Sequence, residues 1–486
     1  MSPSKPPEIL SHHVAGEWSG SESGDTFPAV SPGSGATIAH LAKGTRADAV
    51  RAIEAANRAA PAWAAGSAFE RAAALERIVR IVEERAEPLA QALTVDQGKP
   101  IAESRTEVEE LIVYFRMAAA DATRIEGLMP PSIDPRKRVL VYRVPLGVVG
   151  VISPWNWPYT MPAELIAPAL AAGNTVVWNP ASSTSHCAVA LAGCLVDAGL
   201  PPGVFNLVTG PGSVVGDELA GNPGTQAIGF IGSFESGGRV ATRAAMKELI
   251  LELGGNGPLV ILADADLDRA VAATLTACFL NAGQSCTAGE RILVHEAVHD
   301  EYVARLAAAV GREIRLGDPL DAATTMGPLN NEPQARKMDE QVADAVRRGA
   351  TVVAGGHRLA GAPTPLYYEA TILDGVTDEM LVAREETFGP VAPITPIRSA
   401  DEAIAMVNAS PYGLLSAVFT RDLATGIRFA ESVRSGWVNV NEGTNYWESH
   451  LPFGGRAGSE SGTGRVGGRH ALERFTELKT VVVDLA

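Results

Sequence analysis

Residues 147–152 read GVVGVI, an unbroken apolar run that follows Pro145-Leu146 and leads into the stiff turn PWNWP (154–158). A strand with one wet face alternates apolar and polar residues; a continuous run implies burial on both faces, hence a parallel sheet covered by helices. The pattern recurs at NTVVW (174–178), VFNLV (204–208), AIGFI (227–231) and LILEL (249–253). Helix-compatible stretches such as SHCAVALAGCLVDAG (185–199), which reads as a helix ending at Gly199, lie between them. The rhythm predicts a doubly wound α/β domain, whose ligands bind at the carboxyl ends of the strands.

Working outward, residues 45–128 repeat apolar positions at helical intervals, with Ala, Glu and Arg supplying propensity. MPPSIDPRK (129–137) interrupts them, and the β-like run VLVYRV follows. Downstream, RILVH, TVVAGG, VAPITPI, LLSAVFT and GWVNVN alternate with helical stretches, predicting a second α/β domain. The border falls at LGGNGP (253–258), where glycines end a strand. The C-terminal run TVVVDL predicts a strand able to pair with another subunit's sheet edge.

Composition narrows the partners. The 486 residues are 46% hydrophobic and 20% charged, a globular balance, with a formal net charge of −16. An acidic chain is a poor partner for nucleic acid or an anionic membrane. No signal-peptide core opens the sequence, and VLVYRVPLGVVGVIS (139–153) is too short and interrupted to span a bilayer. The four cysteines, at 187, 194, 278 and 286, contain no CxxC pair. They suit neither a disulfide framework nor a metal site, so a reducing, cytoplasmic setting is expected.

One cysteine is out of character. Cys286 lies in NAGQSCTAGER (281–291), among glycines and polar residues. Glu252 ends an apolar strand before two glycines, and Asn156 lies between tryptophans at a strand end. GPGSVVG (210–216) and GSFESGGR (232–239) each join a strand to a helix, and such glycines let backbone approach a pyrophosphate. Singly, these features read as an inert thiol, a structural carboxylate, a stiff turn and two ordinary loops. Jointly they fit one reaction: a thiolate attacks a carbonyl, an amide stabilises the oxyanion, hydride leaves to a nicotinamide, and a carboxylate activates water against the thioester.

With these motifs the sequence resembles the aldehyde dehydrogenase superfamily from about residue 10 to the end. LELGGN and FLNAGQSCTAGER look like its two signature regions, and EETFGPV, GWVNVN and LPFGG match further blocks in order. The resemblance implies Cys286 as an accessible nucleophile beside bound coenzyme, Glu252 as general base, and an oxyanion hole from Asn156 and the Cys286 amide. It places Glu386 on the nicotinamide ribose, Phe388 beside the ring, and Gly232 and Ser233 near the pyrophosphate. Pro154, Trp155, Gly212 and Gly254 would also border the cofactor, with Asn179 and Ser182 by the adenosine ribose. Trp157, Met161, Glu164, Ser285, Thr287, Trp447 and Phe453 would line the substrate pocket.

The implied fold is α/β: two doubly wound domains, a Rossmann-like cofactor domain (10–128 and 147–253) and a catalytic domain (254–455). A small β oligomerisation element (129–146 and 472–486) completes it. The segment 129–146 is expected as a hairpin pairing with a neighbour's C-terminal strand in a homodimer or homotetramer.

Two departures stand out. NPAS (179–182) replaces the family's usual lysine-containing block, removing both a cation that would hold a 2′-phosphate and a carboxylate that would repel it. NAD and NADP both stay open, with a lean to NAD. PFGGRAGSESGTGR (452–465) is about two residues longer than usual and is expected at the substrate mouth, where Arg456 would favour a semialdehyde. Glu164 and the aromatics favour an apolar or aromatic aldehyde. A coenzyme-A-acylating enzyme and a silent dinucleotide-binding homologue are the alternatives; Glu252 argues against the first and the intact triad against the second.

Overall fold

The structure, a computed structural model, describes residues 8–485. Strands Val148–Ile152, Thr175–Asn179, Phe205–Leu207, Ala227–Ile231 and Glu248–Glu252 run parallel. Numbered along the chain, they lie in the order 3-2-1-4-5. The order reverses between Val148–Ile152 and Ala227–Ile231, which opens a crevice at their carboxyl ends. Every residue of Val148–Ile152 is buried. Val149 and Val151 pack with Val176 and Trp178 against helices Ile101–Ala122, Thr160–Ala172 and Ser185–Asp197. Val148 and Ile152 pack with Val177 and Ile228 against helices Arg46–Ala65, Val215–Gly221 and Phe234–Ala244 on the other face. That two-sided burial explains the unbroken apolar run. Gly229 gives room to the helix above it, because a Cβ there would lie 2.9 Å from Leu165 Cδ1.

A second sheet holds Thr351–Ala354, Thr371–Asp374, Val391–Ile397, Gly289–His295, Gly257–Ile261, Leu415–Phe419 and Trp437–Val440 in that spatial order. All neighbours pair in parallel except Thr351–Ala354 at the edge. Only residues 253–256 separate Glu248–Glu252 of the first sheet from Gly257–Ile261 of the second, so Glu252 stands where the chain first crosses from one to the other.

Several short strands escape the sequence pattern. His12–Val14 and Glu17–Ser19 extend the first sheet as antiparallel edge strands beyond Phe205–Leu207. Gly462–Thr463 closes its opposite edge against Glu248–Glu252. The helix predicted to end at Gly199 ends at Asp197, and Gly199 takes a φ of 72° in the turn beyond.

The expectation that 129–146 pairs with a neighbour's C-terminal strand is corrected. Lys137–Pro145 pairs antiparallel, over nine residues, with Thr476–Asp484 of the same chain. Its other side makes one bridge, Val141 to Leu128, rather than a hairpin within 129–146. Helix Gly468–Arg474 delivers the C-terminal strand to this place. There Asn174 Nδ2 donates to the Phe475 carbonyl at 2.9 Å and Arg143 Nη1 to that of Glu473 at 3.1 Å. Among the described residues no helix is long and apolar enough to cross a membrane, and all four cysteines are free.

One buried ion pair couples the helical layer to the future site. Glu107 accepts Lys99 Nζ at 2.5 Å, both side chains being fully buried, and its other oxygen accepts the Tyr159 amide at 2.8 Å. Lys99 also lies 3.6 Å from the Trp157 ring centroid. Removing one partner leaves an uncompensated buried charge. Lys99→Met is therefore expected to cost about 3–5 kcal/mol in urea denaturation. A loss under 1 kcal/mol would show that the pair holds nothing in place.

Candidate active site

The loop carrying Cys286 is built against backbone preference. After helix Leu267–Phe279, Asn281, Ala282 and Gly283 all take left-handed conformations, with φ of 51°, 53° and 70°. Asn tolerates that region, Ala pays for it, and Gly is required, since a Cβ on Gly283 would lie 2.1 Å from the Gly389 carbonyl oxygen. Hydrogen bonds hold the loop. The Asn281 amide donates to Glu103 Oε2 at 3.0 Å, Asn281 Nδ2 to the Asn156 carbonyl at 2.9 Å, and Gln284 Nε2 to the Asn281 carbonyl at 2.8 Å. Gln284 Oε1 accepts the Asn330 amide at 2.8 Å. The residue types of NAGQ are thus spent on fixing the thiol.

Cys286 is not open to bulk solvent, being 7% exposed. The residue instead lines two cavities. One, of about 670 Å³, is the cleft at the switch point, lined by Pro154, Trp155, Asn156, Gly232, Ser233, Glu252, Gly254, Cys286, Glu386 and Phe388 among others. The second, a tunnel of about 770 Å³, is lined by Trp157, Met161, Glu164, Ser285, Cys286, Thr287, Trp447 and Phe453, with Glu110, Thr160, Leu280 and Asn445. Cys286 and Met161 belong to both.

Glu252, 3% exposed, interacts directly with the Cys286 thiol, and its Oε1 has no hydrogen-bond partner. Burial, reinforced by the neighbouring carboxyls, pushes both groups well above their ordinary pKa values. Asn156, 3% exposed, spends one amide hydrogen on the Gln284 carbonyl at 3.1 Å. An amide nitrogen has two, so a second donor remains.

The cleft's far wall is equally constrained. Phe388 has a φ of 55° and meets Trp155 edge-on, with ring centroids 5.4 Å apart. Glu290 accepts the Thr387 and Phe388 amides, each at 2.7 Å, while Gln334 Nε2 donates to the Phe388 carbonyl at 2.6 Å. Glu386 Oε1 accepts the Gly255 amide at 2.8 Å. A Cβ on Gly254 would lie 2.7 Å from that oxygen, so a side chain there would displace the Glu386 carboxylate.

These residues fit a dinucleotide. Gly232 and Ser233 precede the eleven-residue helix Phe234–Ala244, whose N-cap is Ser233. A further void of about 810 Å³, lined by Gly212, Ser213, Gly216, Arg239 and Arg243, lies between that helix and Val215–Gly221. Asn179 and Ser182 line none of these voids. Asn179 Nδ2 donates to the Val208 carbonyl at 2.9 Å and Ser182 Oγ to that of Gly210 at 3.2 Å. Arg456 is exposed and off the tunnel; its amide bonds the Gly413 carbonyl, while Ser461 Oγ of the same loop bonds that of Gly254. The longer loop therefore buttresses the crossing between sheets, and only Phe453 reaches the tunnel.

Sequence reading missed Glu110, Asn445, Gln334 and Lys337. Glu103, Glu107 and Glu110 fall at i, i+4 and i+7 of helix Ile101–Ala122, a spacing that reads as a solvated stripe.

Comparison with known proteins gives a consistent result. The family profile described as "Aldehyde dehydrogenase family" matches residues 18–481. Similar proteins include a glutarate-semialdehyde dehydrogenase of Pseudomonas aeruginosa, 40% identical over 96% of both chains. The NADP-dependent succinate-semialdehyde dehydrogenase of Escherichia coli is 38% identical over 97% of both. The crystal structure of betaine aldehyde dehydrogenase from Staphylococcus aureus with NAD+ superposes with a TM-score of 0.95 at 32% identity, covering 98% of this chain and 95% of that one.

A thiol with a raised pKa reacts slowly near neutrality. Iodoacetamide labelling of Cys286 in the free protein is expected to rise with pH beyond the free-thiol value of about 8.5. Glu252→Gln, which removes a carboxylate from beside the sulfur, is expected to shift that profile to lower pH. Peptide mapping reads both, and a plateau below pH 7 would contradict the assignment.

Proposed function

The chain belongs to the aldehyde dehydrogenase family, and we propose that Cys286, Glu252 and Asn156 share out the oxidation of an aldehyde to a carboxylic acid. The observation that carries this reading is that Cys286 lines both the cleft and the tunnel. The Cys286 thiolate forms a bond to the aldehyde carbon, and the carbonyl electron pair moves to oxygen. Asn156 Nδ2 and the Cys286 amide stabilise that oxyanion. When bound, the dinucleotide supplies a hydride acceptor in the cleft, and loss of hydride leaves a thioester on Cys286. Glu252 takes a proton from water, whose oxygen attacks the thioester carbon; the C–S bond breaks and the thiolate returns. The raised pKa of Glu252 makes it a stronger base for that step. Such a base serves hydrolysis, whereas transfer to coenzyme A needs none.

Glu386 would hold a ribose, Phe388 and Trp155 would confine the nicotinamide, and Gly232 and Ser233 would meet the pyrophosphate. NAD is the preferred dinucleotide in this reading. Position 179 offers no lysine to a 2′-phosphate. Of the guanidiniums nearby, Arg243 is paired with Asp217 at 2.9 Å and Arg46 with Asp217 and Glu218, while Arg239 donates to Ser236 Oγ at 3.0 Å.

Residues 10–128 and 147–253 are assigned to cofactor binding, and 254–455 to the nucleophile's domain. We assign the outer edge of Thr476–Asp484 to a homodimer or homotetramer contact. Leu478 and Val482 are 62% and 56% exposed there, and unpaired edges of this kind invite strand pairing. The relatives named for glutarate and succinate semialdehyde suggest a carboxylate-bearing substrate, but no cation lines the tunnel among the described residues.

Cys286→Ala is expected to abolish aldehyde oxidation while retaining dinucleotide binding, and Asn156→Ala to lower kcat by about 100- to 1000-fold. Glu252→Gln is expected to give a burst of reduced dinucleotide followed by a stall, with kcat/KM higher for NAD than NADP in the wild type. Stopped-flow absorbance checks each. An unchanged steady-state rate in Glu252→Gln would remove it as the base.

A further inference from the structure

Resting on the reading of Cys286 as nucleophile, we propose that the tunnel selects aldehydes bearing a positively charged ammonium group. The charge balance of the passage is one-sided. Glu164 and Glu110 line the tunnel, and Glu109, Glu110 and Glu448 line the adjoining mouth, a void of about 950 Å³. Among the described residues, neither lining contains a lysine or arginine. His450 is the only basic side chain there, and it lies 3.5 Å from Glu448. Lys99 is fully buried behind Trp157 and neutralised by Glu107.

The walls between these carboxyls are aromatic. Trp447 sits between Tyr114 and Phe453, with both pairs of ring centroids 6.2 Å apart, and Trp157 lines the same passage. Aromatic faces with carboxylates nearby are a recognition surface for quaternary or primary ammonium groups. Glu164 is 4% exposed, and its Oε1 accepts Tyr114 OH at 2.5 Å. Glu110 accepts Thr160 Oγ1 at 3.2 Å. Burial raises Glu164 to about 8 and Glu110 to about 7, and the mutual repulsion of carboxyls adds to both. An incoming cation supplies the missing countercharge. A substrate carboxylate would meet two acidic side chains in a dry passage, an arrangement that rejects it. Cys286 lines the tunnel too, and in the cleft it shares the lining with Glu252, whose Oε1 has no hydrogen-bond partner.

Two measurements test the proposal. In the first, wild-type kcat/KM is compared for 4-(trimethylammonio)butanal, its uncharged isostere 5,5-dimethylhexanal, and succinate semialdehyde. The cation is expected to exceed the isostere by about tenfold or more and the anion by a larger factor. Glu164→Gln and Glu110→Gln are each expected to reduce the cation-to-isostere ratio by about fivefold or more. In the second, which needs neither dinucleotide nor turnover, choline is expected to quench tryptophan fluorescence saturably where 3,3-dimethylbutan-1-ol does not. Faster oxidation of the isostere or of the anion, or equal quenching by both alcohols, overturns the cation proposal and leaves the nucleophile standing. No turnover of any aldehyde, with choline binding intact, overturns the nucleophile while supporting the cation site.

Discussion

The proposed chemistry depends on burying the Cys286 thiol and the Glu252 carboxyl together in one cleft, with Cys286 also lining the tunnel. A dry site makes every electrostatic interaction stronger than it is in water. It also suppresses both ionised forms, as the raised pKa values of Cys286 and Glu252 record. In the proposed mechanism the same desolvation that disfavours the thiolate makes Glu252 a stronger base, and Asn156 would stabilise charge as it develops. The topology supplies the place. Glu252 ends the last parallel strand of one sheet, and the chain enters the next sheet four residues later.

Holding the thiol there costs backbone freedom. Two non-glycine residues in the left-handed region store roughly 1–3 kcal/mol each. A network reaching from Asn156 to Asn330 and Glu103 outweighs that strain. Phe388, on the opposite wall, is held in the same manner by Glu290 and Gln334. Both walls of the cleft are therefore strained segments clamped by buried polar side chains, which is how a site is kept in one geometry before any ligand arrives.

Much of this was legible in the sequence, for physical reasons. Runs such as GVVGVI and AIGFI announce two-sided burial, and the crossover order then follows from handedness and short connections. Cys286, Glu252 and Asn156 stood out because each polar or reactive type sits at a strand end or in a glycine-rich loop. The edge strands His12–Val14 and Gly462–Thr463 were invisible, since two or three residues carry no period. Glu110 and Lys337 read as solvated helix faces, because only tertiary packing decides which carboxylate or ammonium faces a cavity. The resemblance puts Asn179 and Ser182 by the adenosine ribose, and the structure adds what the sequence hides, that each donates to a carbonyl of the neighbouring strand end or turn. The destination of the C-terminal strand was equally hidden, because pairing energy is the same within a chain as between chains.

The acidic tunnel gives a common structure an individual character. The chain shares its fold with relatives named for different aldehydes, and its own acidic side chains line the tunnel that reaches Cys286. The most direct test of the central claim is mass spectrometry of the Cys286 peptide, quenched within one turnover of Glu252→Gln with aldehyde and NAD. The account requires an adduct on Cys286 with the mass of the aldehyde less two hydrogens. An adduct on any other residue, or a Cys286 peptide left unmodified while dinucleotide is reduced, would contradict it.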